Sequence, residues 1–289
     1  MNSPFFSIVI ANYNYGRFLD EAIQSVLSQS CQDFELIVVD GGSTDNSVEV
    51  IKKYADRIAW WCSEKDNGQS HAFNKGFARA KGKMLTWLNA DDIFFPGTLA
   101  QVKEKAKNIL CPDKAWIVGG CFWLTPDMRV IRCSRARPFS RMMAHWNLVP
   151  VWAPSSFFSK SLLDAAGGFD ERFHYMMDTE LWLRFVREQA ATYLPVSSYC
   201  WGLRLHPDAK MSGHNFADSP KADPKHPARQ QEQKEKELAN QLHGKRGMPF
   251  FIRLFTALSP LYIRSRVDTW RTKGMKWQDA IKTLNGNDR

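Results

Sequence analysis

A chain of 289 residues with 44% apolar and 24% charged residues is long enough for one large α/β domain or two modest ones, which excludes a disordered chain. The net charge of +9 is concentrated: residues 221–289 carry 15 Lys/Arg against 7 Asp/Glu, and residues 1–220 carry 24 against 23. The near-neutral first part argues against a broad nucleic-acid surface there, and the basic last part can serve nucleic acid, anionic lipid or plain solubility.

The 11 Trp and 19 Phe imply a large core, stacking surfaces or a face that meets membrane. The six Cys, at 31, 62, 111, 121, 133 and 200, form no CxxC pair and read as reduced, buried thiols of a cytosolic protein. Ser7-Ile8-Val9-Ile10 is too short for a signal peptide, and no window reaches the roughly 18 apolar residues of a spanning helix.

In chain order, the near-continuous apolar run Phe5 to Ala11 predicts a strand buried on both faces. Phe18, Leu19, Ala22, Ile23, Val26 and Leu27 recur at helical spacing. Phe34 to Val39 is a second strand, and Ser43-Thr44-Asp45 supplies N-cap chemistry for a helix through about Tyr54. Ile58 to Cys62 is a third strand, Gln69 to Ala80 a helix and Met84 to Leu88 a fourth strand. Such alternation implies right-handed βαβ units and a mainly parallel sheet, with ligands at the carboxyl ends of the strands. Pro96 to Asn108 reads as a helix, and Trp116 to Leu124 with Arg129 to Cys133 as a hairpin. Leu181 to Arg187 reads as a helix and Thr192 to Tyr199 as a strand. Residues 207–229 are loop-like, and the chain turns helical and charged from Gln230.

Five polar constellations stand out. Asp91-Asp92 follows a buried strand, where paired carboxylates suggest Mg²⁺ or Mn²⁺; a helix N-cap explains them equally simply. Asp40-Gly41-Gly42-Ser43-Thr44-Asp45 can approach a ligand's backbone or base, or be a simple turn. In the polar stretch Ser63 to Gly76, Asp66 can meet a ribose or base and Lys75 a phosphate, or the whole can be a solvated loop. Asp178, just ahead of an amphipathic helix, is a cap or a general base. His206, in Leu203-Arg204-Leu205-His206-Pro207, is a metal ligand, a phosphate contact or neither.

In order and spacing these five resemble the inverting family 2 glycosyltransferases of bacterial polysaccharide and cell-envelope type. The likeness spans about residues 5–215. Its strongest stretches are SIVIANYN, FELIVVDGGSTDNS, SEKDNGQSHAFNKGFARAKG and WLNADD. The resemblance implies a GT-A (Rossmann-like) α/β fold: a mixed, mainly parallel sheet flanked by helices, with a helical C-terminal extension. The expected divisions are a glycosyltransferase domain over 1–215 (nucleotide half 1–95, acceptor half 96–215), a linker over 216–229 and a basic amphipathic helical tail over 230–289.

The resemblance also implies roles. Ala11 and Tyr13 frame the nucleotide base, Asp40 hydrogen-bonds it and Asp66 contacts the nucleoside. Asn89-Ala90-Asp91 stands at the family's DxD position, with Asp91 as ligand of Mg²⁺ or Mn²⁺ and His206 beside the metal and diphosphate. Asp178 is the catalytic base. Asn89 departs from the family by replacing an acid, and Met177 stands where relatives often have Glu. The implied donor is a UDP-, GDP- or dTDP-linked sugar, and the implied acceptor a glycan or lipid-linked hydroxyl. Trp123, Trp146 and Trp152 can stack on sugar rings or belong to the core.

The apolar residues from Met248 to Ile263, among Lys245, Arg246, Arg253, Arg264 and Arg266, suit an interfacial helix on anionic membrane over 245–266. Such a contact would place a cytoplasmic enzyme on the inner face of the cell membrane; the alternative is packing on the chain's own core or in a homo-oligomer. Two rival functions remain at this point, a nucleotidyltransferase of sugar phosphates and a non-catalytic membrane-associated binding protein.

Overall fold

The computed structural model describes residues 3–137, 139, 143, 151, 153–210, 223–244 and 260–285. One nine-stranded sheet organises them. Strands β1 (Phe6–Asn12), β2 (Phe34–Asp40), β3 (Trp60–Ser63) and β4 (Met84–Asn89) lie in the order β3-β2-β1-β4, all parallel. Their connections are α1 (Gly16–Leu27), α2 (Ser47–Lys53) and α3 (Gln69–Phe77). The second half is mixed: β8 (Ser156–Ser159) runs antiparallel between β4 and β6 (Ala115–Leu124), and β9 (Thr192–Arg204) runs parallel to β6. The predicted hairpin is β6 with β7 (Val130–Ser134).

Both faces of β1 are covered, which is why its sequence is apolar without alternation. Phe6, Ile8 and Ile10 join Leu19, Ile23 and Val26 of α1 on one face. Val9 joins Phe73 and Phe77 of α3 on the other. Gly76 allows that approach, since a Cβ there would stand 2.4 Å from Val9 Cγ1. Much of the aromatic content is core. Trp182, on α6 (Met177–Arg187), stacks on Trp87 at 5.5 Å and on Trp116 at 4.8 Å. Trp123 is buried too, so it is not free to stack on a sugar, and Trp146 and Trp152 lie outside the described residues.

Three local expectations are corrected. Asn46 rather than Ser43-Thr44-Asp45 holds the cap position of α2, which starts at Ser47; Asp45 reaches both the helix's first amide, Ser47 N, and Gly16 N, and Ser43 Oγ accepts from Asn14 N. Helix α6 starts four residues before Leu181, which puts Asp178 inside its first turn. Only Cys121, Cys133 and Cys200 are buried, while Cys31 and Cys62 are half-buried and Cys111 is exposed.

The C-terminal helices pack on the sheet domain. On α7 (Pro227–His243), Glu235 Oε2 accepts from Tyr175 N and Met176 N and so satisfies free amides at the start of α6. Helix α8 (Pro260–Thr272) lies along β7, and α9 (Trp277–Asn285) stacks Trp277 on Phe95 at 5.0 Å. Residues 211–215 of the expected domain, 216–222 of the expected linker and 245–259 of the expected membrane band lie outside the described residues.

Candidate active site

Strands β1, β2, β3, β4 and β9 point the same way, so their carboxyl ends share one rim of the sheet. Asp91 and Asp92 follow β4 and His206 follows β9, with β8 and β6 between those strands. The short strand β5 (Ile93–Phe94) brings them together: straight after Asp92 it pairs antiparallel with Gly202 and Trp201 of β9. Asp91 Oδ2 and His206 Nε2 then lie 3.1 Å apart across 115 residues of sequence. Two cis ligands held about 2.1 Å from an octahedral Mg²⁺ would be about 3 Å apart, so this pair has the spacing of one edge of such a site. His206 is buried against Tyr15 and Phe18, and its Nδ1 has no hydrogen-bond partner among the described residues. No group of three or more His, Cys, Asp or Glu able to hold a metal occurs among the described residues.

Asp92 is not a helix cap. Its Oδ1 accepts from Arg204 N at 3.0 Å and its Oδ2 from Asn89 Nδ2 at 2.8 Å. Burial, then the charge of Asp91, pushes its carboxyl well above the usual range, and through these two bonds Asp92 binds the rim together. Asn89 completes the link, accepting from Gln69 Nε2 through its Oδ1. The Ala90 side chain is 1% exposed and packs within the core.

Asp40 is corrected as well. It is fully buried, and four donors fill its carboxylate: Asn12 Nδ2 and Ser43 Oγ on Oδ1, Ser43 N and Ser63 Oγ on Oδ2. No lone pair is left for a base, and the residue instead ties together the ends of β1, β2 and β3. Beside it, Gly41 leaves room for Asp66: a Cβ at 41 would stand 2.6 Å from Asp66 Oδ2. Asp66 also accepts from Gly68 N at 2.8 Å. Tyr13 is 61% exposed above the same rim, and Ala11 is half-buried at the end of β1. Lys75 pairs with Glu64 at 2.9 Å.

Asp178 lies part-buried in the first turn of α6 and accepts from Thr179 N at 2.7 Å. Burial raises its pKa, which suits a carboxylate that must take a proton. Two residues further on, about 200° around the helix, Glu180 faces a separate cavity of about 400 Å³ lined also by Gly168, Arg184 and His243. Glu180 pairs there with Arg184 at 2.6 Å and lies 3.2 Å from His243 Nε2.

Lys210 was not singled out in the sequence. Its Nζ donates to Gln69 Oε1 at 2.7 Å, which ties it through Asn89 to Asp92. Burial pushes its pKa down to about 8, partly offset by the charges of Asp178, Glu235 and Asp91. Its ammonium feels the charges of both Asp91 and Asp178. The available signal was a Lys four residues after His206, in the segment that leaves the rim.

The sequence pattern described by the model of Glycosyl transferase family 2 matches residues 7–163. An uncharacterized glycosyltransferase of Mycobacterium tuberculosis is 32% identical over 206 residues, covering 69% of this chain and 74% of that protein. One from Rickettsia typhi is 30% identical over 199 residues, 64% of this chain and 59% of that protein, and one from Nostoc is 43% identical over 101 residues, 34% and 31% respectively. The chain thus spans about a third to three-fifths of the latter two relatives. Two solved structures share the fold at low identity. Staphylococcus aureus TarS 1–349 in complex with UDP has TM-score 0.53 and 14% identity, over 91% of this chain and 78% of that one. The mannosyltransferase PcManGT of Pyrobaculum calidifontis, in complex with GDP-Man and Mn²⁺, has TM-score 0.53 and 18% identity, over 100% and 89%. The chain belongs to glycosyl transferase family 2 and carries the GT-A fold.

Proposed function

We propose that this glycosyltransferase moves a sugar from a nucleoside-diphosphate donor to an acceptor hydroxyl in one displacement, with inversion at the anomeric carbon. The observation that carries the reading is the meeting of Asp91 with His206 at 3.1 Å on the rim that also presents Tyr13 and Asp66. Tyr13 stacks on the base and Asp66 accepts from the nucleoside. Asp91 and His206 would hold Mg²⁺ or Mn²⁺, which when bound neutralises the charge that builds on the departing diphosphate. The donor of a structural neighbour, GDP-Man with Mn²⁺, is consistent in chemistry with such a pair.

Asp178 accepts the acceptor's hydroxyl proton as that oxygen bonds to the anomeric carbon. The bond from that carbon to the diphosphate oxygen breaks, and its electron pair leaves with the nucleoside diphosphate. The Lys210 ammonium faces the developing charge on that leaving group. The acceptor is a glycan or a lipid-linked sugar.

The test is donor hydrolysis and transfer across UDP-, GDP- and dTDP-sugars, with Mg²⁺ or Mn²⁺ and with EDTA. Turnover of one donor class that EDTA stops is expected. Asp178→Asn should lower transfer by roughly 10²–10⁴-fold while donor affinity stays within about threefold. Full activity in EDTA removes the metal from the reading, and loss of donor binding in Asp178→Asn removes the base.

A further inference from the structure

Helix α8 (Pro260–Thr272) is amphipathic in the inverted sense. Its buried side is polar. Ser265 Oγ accepts from Arg135 N at 3.1 Å, Asp268 pairs with Arg135 at 2.6 Å, Thr269 Oγ1 accepts from Cys133 N at 3.0 Å, and Thr272 lies 3.3 Å from Cys133 Sγ. Its exposed side carries Ile263, Val267 and Trp270, at the i, i+4, i+7 spacing of one helical stripe. Trp270 is 83% exposed. A surface that leaves a Trp and two β-branched aliphatics in water, while burying Ser, Thr and Asp, is the arrangement of a docking face.

Charge selects the occupant. Arg264, Arg266 and Lys273 are exposed on and beside this stripe, and the helix's one acid, Asp268, faces inward. Tyr262 and Arg266 complete a shallow depression with Ile263, Val267 and Trp270. An aromatic–aliphatic stripe rimmed by cations fits an interface that is apolar at depth and anionic at its surface. No helix among the described residues is long and apolar enough to cross a membrane.

We infer that the 263–273 face of α8 docks on an anionic lipid surface, which moves the membrane contact expected over 245–266 toward the C-terminus. The inference stands apart from the donor chemistry, since none of these residues belongs to the Asp91–Asp178 rim.

The test is co-sedimentation of the full chain with vesicles of phosphatidylcholine plus phosphatidylglycerol and with vesicles of phosphatidylcholine alone. Binding to the anionic vesicles only, weakening with added salt, is expected. The variant Ile263→Ser, Val267→Ser, Trp270→Ser should lower the partition coefficient by about a hundredfold. Arg266→Gln with Lys273→Gln should lower it by about tenfold. Unchanged thermal unfolding and lipid-free donor hydrolysis in both variants show that the fold and the donor site are intact. Failure of the wild-type chain to bind either vesicle overturns the proposal, as does a triple variant that binds like wild type. A wild-type dimer that the triple variant dissociates, without vesicle binding, assigns the face to a second copy and overturns it too.

Discussion

At the residue scale, the site sets one acid and one cation against their ordinary titration. Burial raises the Asp178 carboxyl, and burial lowers the Lys210 ammonium to about 8. The proposed base works ionised, so activity falls as pH drops through a value above the ordinary carboxylate range. The proposed diphosphate cation works protonated, so activity falls as pH rises through about 8. Lys210→Arg should keep kcat/KM at alkaline pH, because a guanidinium stays charged. Lys210→Met should lower kcat/KM by roughly 10²–10³-fold and remove the alkaline limb. A pH–rate profile of the three proteins decides, and an unchanged alkaline limb in Lys210→Arg refutes the role. Asp178 and Asp91 drew notice in the sequence from their place in ordered motifs, and the structure sets both at the carboxyl-end rim or beside it. Lys210 did not, because its importance comes from Gln69, Asp178 and Asp91, each far from it in sequence. Asp40 was misread for a related reason: three of its four donors come from Asn12 and Ser43, and the fourth from Ser63, and only the paired strands place them around one carboxylate.

At the element scale, β1 to β4 and their helices matched their sequence signals within a few residues. A strand buried on both faces must be apolar throughout, and a helix on a sheet must be apolar at helical spacing. Helix α8 shows where that logic stops. Its polar buried side carries no hydrophobic signal, and it is held instead by the buried Arg135–Asp268 pair, to which Tyr199 also donates at 2.5 Å. Asp268→Asn should cost about 3–5 kcal/mol, because the Arg135 guanidinium would remain buried without its counter-charge. The urea midpoint measures this, and a loss under about 1 kcal/mol would show that α8 is held by other contacts.

At the scale of the whole molecule, the Trp87–Trp182–Trp116 stack joins β4, α6 and β6 across the two halves of the sheet. Trp182→Ala should destabilise the chain by about 3–5 kcal/mol, since a ring that is fully buried leaves a cavity that packed neighbours only partly fill. Denaturant unfolding checks it, and because Asp178 lies on the same helix, a parallel loss of transfer is expected.

The sequence alone determined the βαβ alternation, the placing of polar motifs at strand ends and their likeness to one family. These are local properties: periodicity, turn chemistry and the order of short motifs along the chain. Only the tertiary structure decided which polar groups meet. Asp91 reaches His206 because β5 pairs with β9, Asp92 is spent on Arg204 and Asn89, and Asp40 is closed off by its neighbours. A carboxylate's role depends on its donors and its access to water, and sheet order sets both between residues more than a hundred positions apart.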